Sequence, residues 1–231
     1  MLPVEYDNAA AFYLKAGKQL EEFEAENCQM LGLCHSVVSR PGSALTRWFG
    51  VEQQGCVLAA AALNPRNKLS LSSAPDAAIA CLVDALLLWD IWPELLFAPQ
   101  ETARTFSALW GKRTGSAPRQ GMTQRIYQLE RITPTLRAGG CLRLGSPGEL
   151  EMLVEWARMF GIDARLGDDP AQARATAEAQ LRADHLYVWE DKGPVTMAAW
   201  SGPTRNGARI QMVFTAREHR GKGYALSLIH I

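Results

Sequence analysis

The sequence predicts a mixed α/β fold in which one order of strands and helices occurs twice. Short apolar segments with strand character alternate with longer segments of helical periodicity. The strand segments of the two halves can also be laid side by side, as repeated architectures allow. The matched pairs are Trp48–Glu52 with Leu186–Glu190, Val57–Ala61 with Val195–Ala199, and Leu69–Ser73 with Ile210–Phe214.

The composition of the 231-residue chain is that of a folded protein, with 48% hydrophobic and 21% charged residues. Lys+Arg and Asp+Glu are both 24, and this balance disfavours a nucleic-acid binder, which would normally carry a basic excess. The longest apolar runs, Cys56–Leu63 and Ala77–Trp89, are too short to span a membrane. Met1–Ala10 contains no signal peptide pattern, so we expect a cytoplasmic protein.

Cysteine and histidine spacing gives no metal or disulfide signature. No CxxC pair occurs, and the cysteines do not cluster with the histidines. We therefore expect no bound metal, and buried free thiols in a reducing compartment. The residues concerned are Cys28, Cys34, Cys56, Cys81, Cys141, His35, His185, His219 and His230.

Clustered Pro and Gly residues between Arg131 and Gly148 indicate a domain boundary, which we place near Thr133. The chain would then consist of an N-terminal domain, residues 1–132, and a C-terminal domain, residues 133–231.

The second half is predicted to run strand, helix, helix, and then an antiparallel three-stranded meander. Ser146 is the expected N-cap of the first helix, with Glu149 completing a capping box, and Gly161 is expected to end it. Short turns between the last strands favour antiparallel pairing. The predicted elements are a strand Cys141–Leu144, the helix from Ser146, a helix from Pro170 to Arg182, and strands His185–Glu190, Val195–Trp200 and Arg209–Thr215.

The first half is predicted to follow a similar order and then to continue further. Its predicted elements are a helix Glu24–Ser39, strands Arg47–Glu52, Cys56–Leu63 and Lys68–Ser73, a helix Ala77–Trp89, a strand Leu95–Ala98, a helix Glu101–Trp110 and a closing strand Gln124–Glu130.

A glycine-rich basic turn follows the strand Arg209–Thr215 and carries the clearest chemical signal. It reads Arg220-Gly221-Lys222-Gly223-Tyr224-Ala225 and leads into a helix start. Glycines permit a tight turn whose N–H groups bind phosphate or pyrophosphate, and the two basic residues add positive charge. The turn matches neither GxxxxGK[ST] nor GxGxxG. A helix cap on a solvated surface is the alternative interpretation.

The pattern Arg220-x-x-Gly223-x-Ala225, preceded by Val213-Phe214-Thr215, resembles the acyl-CoA motif of the GCN5-related N-acetyltransferases (GNAT superfamily). The two halves resemble tandem members of that family with a degenerate N-terminal copy. The resemblance implies acetyl-CoA as co-substrate and an amine-bearing small molecule or protein as acceptor. It also implies that the backbone of Val213–Thr215 pairs with the pantetheine arm, and that the N–H groups of Gly221 to Ala225 hold the pyrophosphate.

The matching segment of the first half, Ser72–Ala78, departs from this motif. It has no glycine and no basic residue, and Asp76 adds a negative charge that would repel a pyrophosphate. We therefore expect one CoA site per chain, in the C-terminal half, with the N-terminal half shaping the acceptor cleft.

Catalytic residues are harder to identify. Amine acetylation needs a proton acceptor, and many family members use a Glu on the strand before the motif, but Arg209–Met212 contains no carboxylate. Glu190 and Asp191, at the end of the adjacent strand, could act through water, or they could be surface turn residues. Two further hypotheses stay open: a non-catalytic CoA-binding or scaffold module, and a structural partner that associates through sheet edges.

The family fold would continue beyond this helix, so we expect the second copy to be truncated, and the sequence leaves open whether this polypeptide is active by itself. We also expect Ser227–Ile231 not to be native, since Ser-Leu-Ile-His-Ile tails recur as adaptor read-through in assembled sequences. The sequence leaves the oligomeric state open.

Overall fold

The structure is a computed structural model that describes residues 1–39, 46–132 and 138–230. The predicted mixed α/β class is confirmed, because two separate sheets are accompanied by helices. The chain divides into two compact units. Unit 1 contains Met1–Gln128 and Gly202–Gly207, and unit 2 contains the remaining described residues. The predicted boundary at Thr133 lies outside the described residues.

Unit 1 contains a five-stranded sheet of order β1-β2-β3-β4-β5. The first three pairings are antiparallel, and β5 pairs with β4 in parallel. Its elements are β1 Leu2–Tyr6, α1 Ala9–Glu22, α2 Glu24–Ser39, β2 Arg47–Gln53, β3 Cys56–Leu63, β4 Lys68–Leu71, α3 Asp76–Leu88, β5 Leu95–Phe97 and α4 Gln100–Thr114.

Both faces of this sheet are buried. Ala59 and Ala61 of β3 pack in one apolar cluster with α3 and α4, whereas Ala60 and Ala62 pack in a second cluster with α1 and α2. Alternate side chains of a strand point to opposite faces, so a strand covered on both sides reads as a continuous apolar run. This accounts for the run Cys56–Leu63.

Unit 2 contains a four-stranded sheet of order β6-β7-β8-β9. The pairs β6–β7 and β7–β8 are antiparallel, and the second of these pairings was predicted. Its elements are β6 Cys141–Leu144, a 3₁₀ turn Pro147–Glu149, α5 Leu150–Asp163, α6 Pro170–Arg182, β7 Leu186–Glu190, β8 Pro194–Pro203, β9 Ala208–Thr215, a 3₁₀ turn Arg217–His219 and α7 Tyr224–Ile229. Ser146 and Glu149 form the predicted capping box.

The two sheets share an irregularity at matching positions. The register between β2 and β3 shifts at Val51/Glu52, and the register between β7 and β8 shifts at Trp189/Glu190. In the side-by-side arrangement of the sequence these are equivalent residues. The halves therefore share a strand distortion as well as an order of elements.

Three predictions about elements are wrong. Gln124–Glu130 forms no strand, because residues 115–130 have no sheet neighbour among the described residues and are exposed. The prediction omitted β1 and α1, although Asn8 caps α1 by accepting from Ala11 N at 2.9 Å. Gly161 does not end α5, which continues to Asp163 until Arg165 adopts a left-handed φ of 57°.

The five cysteines differ in burial, so the expectation of buried thiols is only partly confirmed. Cys34 is buried, Cys28 and Cys81 are half-buried, and all five cysteines are free. Cys56 and Cys141 are exposed, because each begins a strand beside a turn. Burial raises the pKa of the Cys34 thiol to about 12.

The turn before β6 is fixed by a buried tryptophan. Trp189 Nε1 donates to Gly139 O at 2.8 Å, and the next residue, Gly140, has a φ of 105°. A Cβ at Gly140 would lie 2.2 Å from Glu190 O and 2.8 Å from Trp189 Nε1. Only glycine fits this position, for reasons of both contact and backbone conformation.

We predict that Gly140→Ala lowers the free energy of unfolding of unit 2 by more than about 2 kcal/mol, because strain and steric overlap add. Gly167→Ala is the matched control, since Gly167 has a φ of 112° but no atom within 4 Å of the place where its Cβ would lie. Urea unfolding followed by tryptophan fluorescence measures both. Equal losses for the two variants would show that the contact with Trp189 and Glu190 has no effect.

Candidate functional site

The end of β9 is distorted at one residue. Met212 has a φ of 54°, in the left-handed region that side chains other than glycine rarely adopt, and it is only 6% exposed. A left-handed residue inside a strand bends the strand and interrupts its pairing. The residues after it, Val213, Phe214 and Thr215, are the ones that the motif implicates.

Hydrogen bonds to β8 hold this strand end in place. The Thr196 hydroxyl is fully buried; it donates to Phe214 O at 2.7 Å and lies 2.9 Å from Thr215 Oγ1. One residue further on, Ala216 N donates to Val195 O at 3.2 Å. Thr196 therefore fixes the last residues of β9 just before the chain enters the glycine-rich loop.

The loop itself contains two glycines in the left-handed conformation. Gly221 and Gly223 have φ of 78° and 81°, and no atom lies within 4 Å of where a Cβ would be placed at either. Within the described part of the chain, no backbone carbonyl outside α7 accepts from the N–H groups of residues 221–225. These N–H groups are thus available to an anion.

Arg220 is anchored rather than free at the rim of the loop. Its Nη2 lies 2.5 Å from Asp163 Oδ2, and its Nε donates to Thr215 O at 3.0 Å. Its guanidinium also lies 5.4 Å from the centre of the Phe214 ring. Lys222, the second basic residue of the motif, is exposed.

A cavity of about 380 Å³ lies beside the strand end and the loop. This is within the size range of small-molecule sites, which are roughly 300–1,000 Å³. Its lining residues are Phe160, Asp163, Ala164, Val213, Phe214, Thr215, Arg220 and Ala225. The structure thus brings the two parts of the sequence motif to one cavity and adds Asp163 to it.

The side chain of Tyr224, a residue of the predicted pyrophosphate loop, belongs to the core. The residue is 9% exposed and packs with Trp189, Val195 and Leu228. Its hydroxyl donates to Asp191 Oδ2 at 2.5 Å, and this bond raises the pKa of the tyrosine. The bond ties the first turn of α7 to the end of β7.

Glu190, the other carboxylate considered for catalysis, is paired with Arg143. The Arg143 guanidinium also binds Glu149 Oε1 at 2.6 Å. The hydrogen bond to Glu149 raises the pKa of Arg143 most, and the hydrogen bond to Glu190 raises it further. The Arg143 bond also lowers the pKa of Glu149. Glu190 and Asp191 thus both have structural partners within unit 2.

The corresponding segment of unit 1 lacks the loop geometry. None of residues 72–78 has a positive φ, and α3 begins after Pro75 without a side-chain cap. The Asp76 carboxylate accepts from Thr105 Oγ1 at 3.0 Å.

The described residues were also compared with the requirements of a metal site and of a membrane-spanning helix. They contain no cluster of three or more His, Cys, Asp or Glu side chains arranged to hold a metal ion. None of their helices combines the length and the apolar character needed to cross a bilayer.

Sequence reasoning found the loop and the strand end but missed three features. The left-handed Met212 has no sequence signal, because methionine is not a turn residue. Asp163 lies far from the loop in sequence, and only the packing of α5 on β9 brings it to Arg220. The Tyr224–Asp191 bond also depends on tertiary packing.

Comparison with known proteins finds similarity at the level of solved structures. No family model and no curated protein matches the sequence. A GNAT-family acetyltransferase from Colwellia psychrerythraea aligns with 99% of this chain and 83% of its own, at 11% identity and a TM-score of 0.46. A tandem GNAT protein from the clavulanic acid biosynthesis pathway aligns over the same shares, at 14% identity and a TM-score of 0.44.

A third structure, a Pyrococcus horikoshii protein provisionally assigned as an acetyltransferase, is similar over a smaller part. It aligns with 45% of this chain at 15% identity and a TM-score of 0.32, and this chain spans 35% of its length. Two of the three structures thus bear the name of the family that the sequence motif resembles.

We predict that Asp163→Asn strengthens the binding of inorganic pyrophosphate to unit 2 by about fivefold, because it removes a negative charge from the cavity and frees Arg220. Asp168→Asn is the matched control, since Asp168 pairs with Arg158 at 2.7 Å and does not line the cavity. Isothermal titration at fixed ionic strength gives the affinities. Weaker binding by Asp163→Asn would show that the aspartate is needed to position Arg220.

Proposed function

We propose that this protein transfers an acyl group, most simply acetyl, from acyl-CoA to an amine acceptor, and that unit 2 binds the CoA. The observation that carries the proposal is the loop at residues 220–225. Its two glycines have left-handed φ, its N–H groups are available, and it borders a cavity at the end of β9. The acyl-CoA motif that the sequence resembles consists of this strand end and this loop.

In this proposal the pantetheine arm lies along Val213–Thr215 and the pyrophosphate rests on the loop. Arg220 would leave Asp163 and Thr215 O for a phosphate oxygen, and Lys222 would add a second positive charge. Charge-assisted bonds of this kind are stronger than neutral ones. The exchange of partners keeps Arg220 hydrogen-bonded in both states, and Arg217, whose Nη2 lies 3.9 Å from Asp163 Oδ1, stays beside the carboxylate that Arg220 would leave.

Unit 1 is proposed not to bind CoA. Its corresponding segment, residues 72–78, has no positive φ and no basic residue, and it carries the Asp76 carboxylate. The N-terminal domain, residues 1–132, is therefore proposed as a degenerate copy that shapes the acceptor site, and the C-terminal domain, from residue 133, as the CoA-binding copy.

A second candidate is a CoA-binding module without catalysis. The observation that favours it is that Glu190 is paired with Arg143, and Asp191 accepts from Tyr224. Asp163, the carboxylate that lines the cavity, is paired with Arg220. None of these three carboxylates is therefore free to remove a proton from an ammonium group.

We predict that Gly223→Glu abolishes the binding of acetyl-CoA to the 231-residue chain. The change places a side chain and a negative charge where the pyrophosphate would lie, and it forces a non-glycine residue to a φ of 81°. Isothermal titration with acetyl-CoA measures the loss, and pantetheine, which lacks the pyrophosphate, serves as a second ligand whose binding should persist.

Gly193→Glu is the matched control, because Gly193 also has a positive φ, 137°, and open space around it, but lies in the β7–β8 turn. This variant should bind acetyl-CoA like the parent. Failure of the unmodified chain to bind acetyl-CoA at millimolar concentration would refute CoA binding by this chain.

The two candidate functions differ in a measurable product. Transfer to an amine releases the CoA thiol, which a thiol reagent detects after mixing acetyl-CoA with a panel of amines. Thiol release above the rate without protein supports the transferase. Tight CoA binding with no release across the panel supports the binding module.

A further inference from the structure

Unit 1 contains a cavity of its own, separate from the proposed CoA site. Its volume is about 400 Å³, within the range of small-molecule sites. It lies where α1, the start of α2, β3 and the segment between β4 and α3 meet. The lining residues are Gln19, Phe23, Asn27, Val57, Leu58, Ser72, Ser73, Ala74 and Pro75.

Among the described residues, no ionisable side chain lines this cavity. A charged ligand group would lose its water there without gaining an oppositely charged partner, which is strongly unfavourable. Several carboxylates adjoin the lining residues along the chain: Glu22 and Glu24 beside Phe23, Glu26 beside Asn27, and Asp76, which accepts from Thr105, beside Pro75. Their negative charge further disfavours an anion. The lining therefore selects an uncharged ligand.

The buried polar groups of the wall are satisfied, with one exception. Asn27 Nδ2 donates to Leu20 O at 3.1 Å, and the Ser72 hydroxyl accepts from Ala60 N at 3.0 Å and donates to Ser73 O at 3.1 Å. Gln19 Oε1 is buried, and no hydrogen-bond donor among the described residues reaches it. An unpaired buried amide oxygen is unfavourable, so it calls for a partner.

The Gln19 amide is only weakly held in its present orientation. Its Nε2 donates to Leu58 O over 3.4 Å, at the limit of a hydrogen bond. Rotation about the last side-chain bond of glutamine is soft, so the amide can turn its oxygen toward the cavity at little cost. A ligand N–H would then supply the missing donor.

The segment between β4 and α3 adds backbone donors to the wall of the cavity. No backbone carbonyl of the described residues accepts from the N–H of Ser73 or Ala74. The first N–H groups of α3 are also without a side-chain cap. A ligand that fits both walls needs an N–H for Gln19 and an acceptor for this segment, close together and without charge. A carboxamide has both.

We propose that this cavity of unit 1 binds a small uncharged carboxamide with an apolar body, recognised by Gln19 and by the N–H groups of Ser73 and Ala74. The apolar part packs on Val57 and Leu58, and a flat group would also cover Phe23, a residue that is 62% exposed. This inference does not depend on the proposed acyl transfer, which concerns unit 2. Under this proposal unit 1, which lacks the glycine-rich loop, binds an uncharged carboxamide, whereas unit 2 binds CoA.

Three compounds of nearly equal shape test the proposal: benzamide, benzoate and benzamidine, which differ in charge. Each is titrated into the ¹⁵N-labelled 231-residue chain, and amide shifts of Ser73, Ala74 and the Gln19 side chain are followed. Benzamide is expected to bind with a millimolar Kd, and the anion and the cation at least about tenfold more weakly. Equal binding of the three, or no saturable shift at these residues, would overturn the proposal.

Gln19→Leu is expected to weaken benzamide binding at least about fivefold. Because the replaced oxygen has no partner, the variant should keep the melting temperature of the parent, which separates lost binding from lost folding. Gln53→Leu is the control, since Gln53 is exposed at the end of β2. As a second variant, Ser73→Trp at an exposed edge position should block the cavity. Unchanged binding in both Gln19→Leu and Ser73→Trp would exclude this cavity as the binding site.

Discussion

The structure depends first on the burial of both faces of each sheet. In unit 1 the run Ala59–Ala62 places small side chains alternately under α3 and α4 and under α1 and α2. In unit 2 the sheet packs against α5 and α6 on one face and against α7 on the other. Apolar burial is the dominant favourable term in folding, so it decides where the helices lie. The strand ends and loops that carry polar groups are positioned as a consequence.

The candidate site of unit 2 lies at the edge of this packing. Core contacts bury Met212 and Phe214 on the side of α5. The left-handed φ of Met212 bends β9, and Thr196 fixes the strand end that follows. Strained residues of this kind persist only where the surrounding structure determines them. Here the strain lies directly before the loop that we propose to hold a pyrophosphate.

Charges in unit 2 are arranged in pairs around the same region. Arg220 pairs with Asp163 and Arg143 pairs with Glu190, whereas the uncharged Tyr224 hydroxyl donates a hydrogen bond to Asp191. Exposed pairs of this type contribute little to stability, typically below about 1 kcal/mol. Their greater effect is on function, because a phosphate would have to compete with Asp163 for Arg220. The segment of unit 1 that corresponds to the loop carries no basic residue, and the cavity beside it is lined by uncharged residues instead.

Short-range patterns in the sequence specify most of the local elements and the two glycines of the loop. The capping box at Ser146, the meander and the glycines at 221 and 223 follow from short-range rules that act within a few residues. The same reasoning failed for Gln124–Glu130, which has no neighbouring strand to pair with among the described residues. Tertiary structure alone decided the features that need distant residues or an imposed backbone: Asp163 on Arg220, the left-handed Met212, and the unpaired Gln19 oxygen beside a cavity. The physical reason is that these depend on the packing of whole helices against sheets, which no local pattern of residues specifies.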